Sequence, residues 1–270
     1  MPYEWPPLTP GDPDEVARRV ARVLEDAWQR LADKQTTVIA SIVARWRLPY
    51  VLATLEEFKA AIADFRGRVD AEARAFVQRQ LPHLYQQGAQ RAAAAVGQQF
   101  TWTQAHVDAL QSLASDSYED FLRRSQEAER MAERWYRTVR AAARAEVPQL
   151  AAGNTTARQA AKALADKLAG QSLTHVVYRH GARVPVRAWA ETATLAKSAV
   201  AYNAGTLNRA REAGVGVVEV FDGADCGWTS HQDPDKAART LRSVDEAAEW
   251  PISHPRCRRA FGPRPDVVRP

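Results

Sequence analysis

Apolar side chains recur at spacings of three and four through most of the first 150 residues. Val16, Val20, Val23, Leu24, Trp28 and Leu31 form one such stripe, and this spacing puts side chains on a single face of an α-helix. Asp12 followed by Pro13 predicts the start of that helix, a capping side chain ahead of a residue already held at helical φ. The stripe runs on through Val38, Ile39, Ile42, Val43 and Trp46 and is expected to end at Pro49, because the residue before a proline is pushed out of the helical region. Leu52, Leu55, Phe58, Ile62, Phe65 and Val69 repeat the pattern. The Ala-rich residues 71–96 supply further helical segments, with interruptions expected at Pro82 and Gly88. A last long helix is expected from near Thr103 towards Pro148, with Val107, Leu110, Leu113, Tyr118, Phe121 and Leu122 early and Met131, Trp135 and Val139 late. The polar run between them, residues 123–130, predicts a middle that is solvent-exposed or waits for a partner, exposure being the simpler reading. Residues 1–10 hold four of the fifteen prolines and read as an extended arm.

The pattern changes after residue 150. Gly153, Asn154, Thr155 and Thr156 mark a boundary, and Thr156 with Gln159 three positions on is a capping-box helix start. That helix, through Ala160, Leu164 and Leu168, is expected to stop at Gly170. His175, Val176, Val177 and Tyr178 form a short β-prone run before the turn residue Gly181. Residues 185–213 read as an amphipathic helix closed by Gly214, and residues 215–221 as a strand. Ser243 and Glu246 make a second capping box. The expected architecture is α+β and mainly helical overall: a long-helix region over residues 1–150 and a small mixed α/β domain over residues 151–270.

Composition adds bounds. The 270 residues are 46% hydrophobic and 26% charged, which excludes a wholly disordered chain. No apolar run is long enough to span a membrane, and the first residues lack the features of a secretory signal, so synthesis in the cytoplasm is expected. Net charge is +5, from 37 Lys+Arg against 32 Asp+Glu. So small an excess allows acidic partners without requiring them. The closing segment, with Arg256, Arg258, Arg259, Arg264 and Arg269 against Asp266, is the most basic, and weak, sequence-independent contact with DNA is assigned to it.

Only two cysteines occur, Cys226 and Cys257, too few for a disulfide-stapled module. With His231 and His254 they make a candidate zinc set of two thiolates and two imidazoles, whose role would be to cross-link a loop-rich segment. Two other readings stay open: buried small hydrophobes with hydrogen-bonded histidines, or a Cys226–Cys257 disulfide if the fold brings the two close. An enzymatic alternative also exists, a metal-dependent nuclease using Asp222, Asp225, His231, Asp233, Asp235 and His254 in one polar loop. No second metal histidine on a following helix completes it. No Gly-x-Ser-x-Gly elbow is present for a serine hydrolase. His83 and His106 stand alone on helical text and receive no role.

The stretch Tyr178-Arg179-His180-Gly181-Ala182-Arg183-Val184-Pro185, the helix after it, the strand Val217-Val218-Glu219-Val220, then Asp222-Gly223-Ala224-Asp225-Cys226 and His254-Pro255-Arg256-Cys257-Arg258 follow one another in an order that resembles the minor capsid protein 2 and Mu F-like head morphogenesis families of tailed phages. The resemblance covers about residues 151–262. It implies a structural virion protein with no enzymatic activity, inside the head near the portal, acting in head assembly or genome delivery. The implied partners are portal, scaffold or major capsid protein. The chain departs from the fuller cysteine pattern of such proteins, with Arg259 where a cysteine often stands, and His231 is the candidate replacement for a missing upstream ligand.

Overall fold

The computed structural model describes residues 13–44, 48–153, 156–168, 171, 173–178, 181–222 and 239–267. Residues 1–10, Asp12, Trp46, Gly170 and the loop from Gly223 through Asp235, all of which carried expectations, lie outside them. The architecture is the mainly helical α+β arrangement expected. Its first half is α1 (Pro13–Ala44), α2 (Leu48–Ala75), one π-helical turn (Phe76–Gln80), α3 (Leu81–Ala95) and α4 (Gln104–Ala151). Then come α5 (Ala157–Leu168), β1 (His175–Val177), β2 (Arg183–Pro185), α6 (Val186–Glu212), β3 (Val217–Phe221), β4 (Leu241–Ser243), α7 (Val244–Glu249) and β5 (Ala260–Pro263). Among the described residues no helix is long and apolar enough to cross a membrane.

Both capping boxes form. Thr156 N–H donates to Gln159 Oε1 at 3.0 Å, and Gln159 N–H returns to Thr156 Oγ1 at 3.3 Å. Ser243 Oγ accepts from Glu246 N–H at 3.1 Å and starts α7. β1 and β2 form a hairpin with Val176 opposite Val184, turned at Gly181, whose φ of 86° favours glycine. The second sheet is antiparallel in the order β4-β3-β5.

Three expectations on the helices need correction. Pro49 does not close a helix: it stands in the first turn of α2, where its missing N–H would have no helical partner anyway. Gly88 does not interrupt α3 but lies buried inside it. A Cβ there would sit 2.0 Å from Tyr202 O, and one on Gly205 of α6 would sit 2.0 Å from Tyr85 O. The two glycines therefore let α3 and α6 cross backbone to backbone, and Thr206 Oγ1 donates to Gly88 O at 3.2 Å across that contact. Nor is the polar stretch of α4 wholly exposed. Ser125 and Ala128 within it are buried, and Ala132 just after it, so the apolar face continues through small side chains that a search for large ones passes over.

The chain forms two compact units. One comprises residues 21–73 and 120–189, the other residues 1–20, 74–119 and 190–270. The first has an aromatic core: Trp28 meets Phe65 edge-on with centroids 4.5 Å apart, and Phe58 packs on Trp135 at 4.7 Å. Burying each such side chain contributes about 1.5–3 kcal/mol relative to exposure. In the second, α6 and the three-stranded sheet enclose Leu207, Ala210, Val218, Val220, Val244 and Phe261. The glycine crossing belongs to this unit.

Candidate functional site

The segment singled out by its cysteines and histidines lies in the second unit, between the end of β3 and the start of β5. Its described part is fastened by polar groups. Arg259, directly ahead of β5, forms an ion pair with Asp222, directly after β3: Nε to Oδ1 is 2.7 Å and Nη2 to Oδ2 is 3.3 Å. Both side chains are 3% exposed. Arg259 Nη1 also donates to Trp250 O at 3.2 Å. Asn203 on α6, wholly buried, donates through Nδ2 to Pro251 O at 2.7 Å and Arg259 O at 2.9 Å. The loop from Trp250 to Arg259 is thereby tied to both the sheet and α6.

His254 and Cys257 share one turn of this loop, with Cys257 N–H donating to His254 O at 2.8 Å. Cys257 is buried. Its Sγ lies 3.2 Å from Ser253 Oγ and accepts the Arg259 N–H at 3.3 Å. A backbone N–H aimed at sulfur is also a common companion of a metal-ligating cysteine. Cys226 and His231, the other half of the zinc set, lie outside the described residues, as do Asp225, Asp233 and Asp235. Among the described residues no three His, Cys, Asp or Glu side chains gather as a metal site. Asp222, counted with the acids of the nuclease alternative, has both carboxylate oxygens engaged by Arg259.

The basic closing segment is internally compensated where it is described. Arg258 Nη2 lies 2.8 Å from both carboxylate oxygens of Asp14. Arg256 donates to Thr192 Oγ1 at 3.1 Å and lies 3.8 Å from Glu191. Arg264 bonds Asp266 and Glu219. The Asp266 carboxyl is held below its ordinary pKa by the Arg264 hydrogen bond. Arg269 lies outside the described residues.

A polar cluster that sequence reasoning missed lies in the same unit. His106 is 1% exposed, with Nδ1 2.9 Å from Tyr85 OH and Nε2 3.1 Å from Glu212 Oε2. Asn208 Nδ2 donates to Tyr85 OH at 2.9 Å, which leaves the hydroxyl hydrogen to donate to His106 Nδ1 and the Nε2–H to face the carboxylate. Arg209 Nη1 donates to Glu212 Oε2 at 2.9 Å and its Nη2 to Gln98. Burial pushes the Tyr85 phenol up to about 12. Burial opposes ionisation of Glu212, but the hydrogen bonds from His106 and Thr103 and the charge of Arg209 outweigh it, and its carboxyl falls below the ordinary value. Phe100 and Trp102 pack against the His106 ring. This cluster fixes the chain between α3 and α4 to the end of α6. The Phe100-x-Trp102 pair ahead of His106 was the available signal for a covered histidine.

A family model described as phage minor capsid protein 2 matches residues 22–226. No curated protein and no solved structure matches the chain. The matched range takes in most of the helical first half, where no specific motif had been read, and stops short of His254 and Cys257.

Proposed function

The chain belongs to the phage minor capsid protein 2 family, and from that premise we propose that it is a structural component of a tailed-phage head, placed inside the shell near the portal. It acts there in head assembly or genome delivery and contacts portal, scaffold or major capsid protein. It is made in the host cytoplasm and carries out no catalysis. The observation that carries this reading is the extent of the match, which spans well over half of the chain and runs through helices of both units. Helices as long as α4, with 48 residues, offer extended faces suited to lying along other shell proteins.

Co-expression with the portal, scaffold and coat proteins of its phage tests the reading. The chain is expected to sediment with assembled shells and to be retained by a tagged portal. Recovery only at the top of the gradient, with no retention, would reject it.

We also propose that Cys226, His231, His254 and Cys257 hold one structural zinc. The common turn of His254 and Cys257 and the N–H on Cys257 Sγ support the His254 and Cys257 half of this set. The metal would supply a cross-link for a loop poor in apolar residues. Metal analysis of the folded, purified chain should find zinc, and the Cys257→Ser variant should lose it. A metal-free native chain would reject the site.

A further inference from the structure

We propose that the outer face of α4 over residues 123–144 is a binding surface for the phosphate backbone of double-stranded DNA. Arg123, Arg130, Arg134, Arg137 and Arg144 are all exposed. Positions 123, 130, 137 and 144 follow at seven-residue steps, nearly two turns each, and 134 lies one turn on from 130. The five guanidinium groups therefore form one row, about 31 Å from end to end at 1.5 Å per residue. The buried residues of the same stretch, among them Ser125, Ala128, Ala132, Trp135 and Val139, lie on the opposite side of the helix, so the row faces outward along its whole length.

Positive charge predominates on this face. Among the described residues none of the five arginines pairs with a carboxylate, whereas the neighbouring carboxylates are taken elsewhere: Glu127 pairs with Arg124 at 3.0 Å and Glu129 with Arg66 at 3.7 Å. Glu133 is the one exposed acid within the stretch, and Arg140 flanks the row beside Tyr136. Arg134 also lines a cleft of about 320 Å³ beside Trp135. The described arginines of the closing segment, by contrast, all have carboxylate partners.

A row of fixed charges suits DNA, which presents one negative charge about every 1.7 Å along its axis and can be held without reading its sequence. Guanidinium forks match phosphate oxygens in pairs. Five contacts predict weak, sequence-independent binding whose logarithm falls with the logarithm of salt at a slope of up to about −4.5.

The test uses the full chain and a short random-sequence DNA duplex, titrated at several salt concentrations. The triple variant Arg130→Gln, Arg137→Gln, Arg144→Gln removes exposed side chains, and its circular dichroism should equal that of the native protein. Its salt slope should be shallower by about 2.7, at about 0.9 per lost phosphate contact. Arg258→Gln, which removes a compensated charge, should leave the slope as it is. Three results would each overturn the proposal: no salt-dependent DNA binding by the native chain, a triple variant with the native slope, or an equal loss in Arg258→Gln. The first of these would point to an acidic protein surface as the occupant of the row.

Discussion

At residue scale the Arg259–Asp222 pair decides how the end of β3 meets the beginning of β5. Removing two charges from water is costly, so such a pair is a positional device more than a source of stability. Arg259→Met alone leaves a buried carboxylate without its partner and should lower unfolding stability by about 3–5 kcal/mol in urea titration. Adding Asp222→Leu should recover most of that loss, and no recovery would mean that Arg259 matters through its bond to Trp250 O instead. Tyr85 gives a second test. Its phenol titrates near 10 in the unfolded chain and at about 12 when folded, so its contribution is fully present below pH 10 and disappears as pH rises towards 12. Tyr85→Phe should flatten the stability curve over that window. At neutral pH it should be less stable by about 1–3 kcal/mol, because His106 Nδ1 and Asn208 Nδ2 lose their buried partner. An unchanged curve between pH 10 and 12 would show that the hydroxyl is not held as described. Neither group was visible in the sequence as a pair or a cluster. Arg259 and Asp222 are 37 positions apart, and Tyr85 reaches Asn208 over 123. Only the fold brings them together.

At the scale of elements the α3–α6 crossing depends on two missing side chains. A methyl group on Gly88 or Gly205 would meet a carbonyl oxygen of the other helix at 2.0 Å, and backbone cannot give way as a flexible side chain does. Gly88→Ala and Gly205→Ala should each cost about 1–3 kcal/mol or more in thermal or chemical unfolding. Gly67 in α2 has nothing within 4 Å of an added Cβ, so Gly67→Ala should stabilise by about 0.5–1 kcal/mol through helix propensity alone. Equal effects at all three positions would remove the close-approach argument. What was legible at this scale follows from period and local chemistry. Stripes of large apolar residues and the capping boxes at Thr156 and Ser243 announced their helices, and residues 215–221 announced β3. The burial of Ser125, Ala128 and Ala132 was hidden because small residues carry little periodic signal. β4 and β5 are three and four residues long and become strands only because β3 lies between them, so neither could be read in isolation.

At the scale of the whole molecule, the resemblance over about residues 151–262 and the family match over residues 22–226 agree on the kind of protein; they share residues 151–226, and the match adds most of the helical half. The ordered motifs after residue 151 were distinctive enough to name the family. Most of the helical half lies inside the matched range, although no short motif within it points to the family. Each compact unit also draws on residues from either side of position 150, so long helices serve both units. The account's central claim is that this chain is built into phage heads, and quantitative mass spectrometry of purified, DNA-filled particles tests it most directly. Peptides from this chain should be present at a small, constant ratio to the major coat protein. Particles that contain portal and coat at normal levels but no peptide of this chain would contradict it.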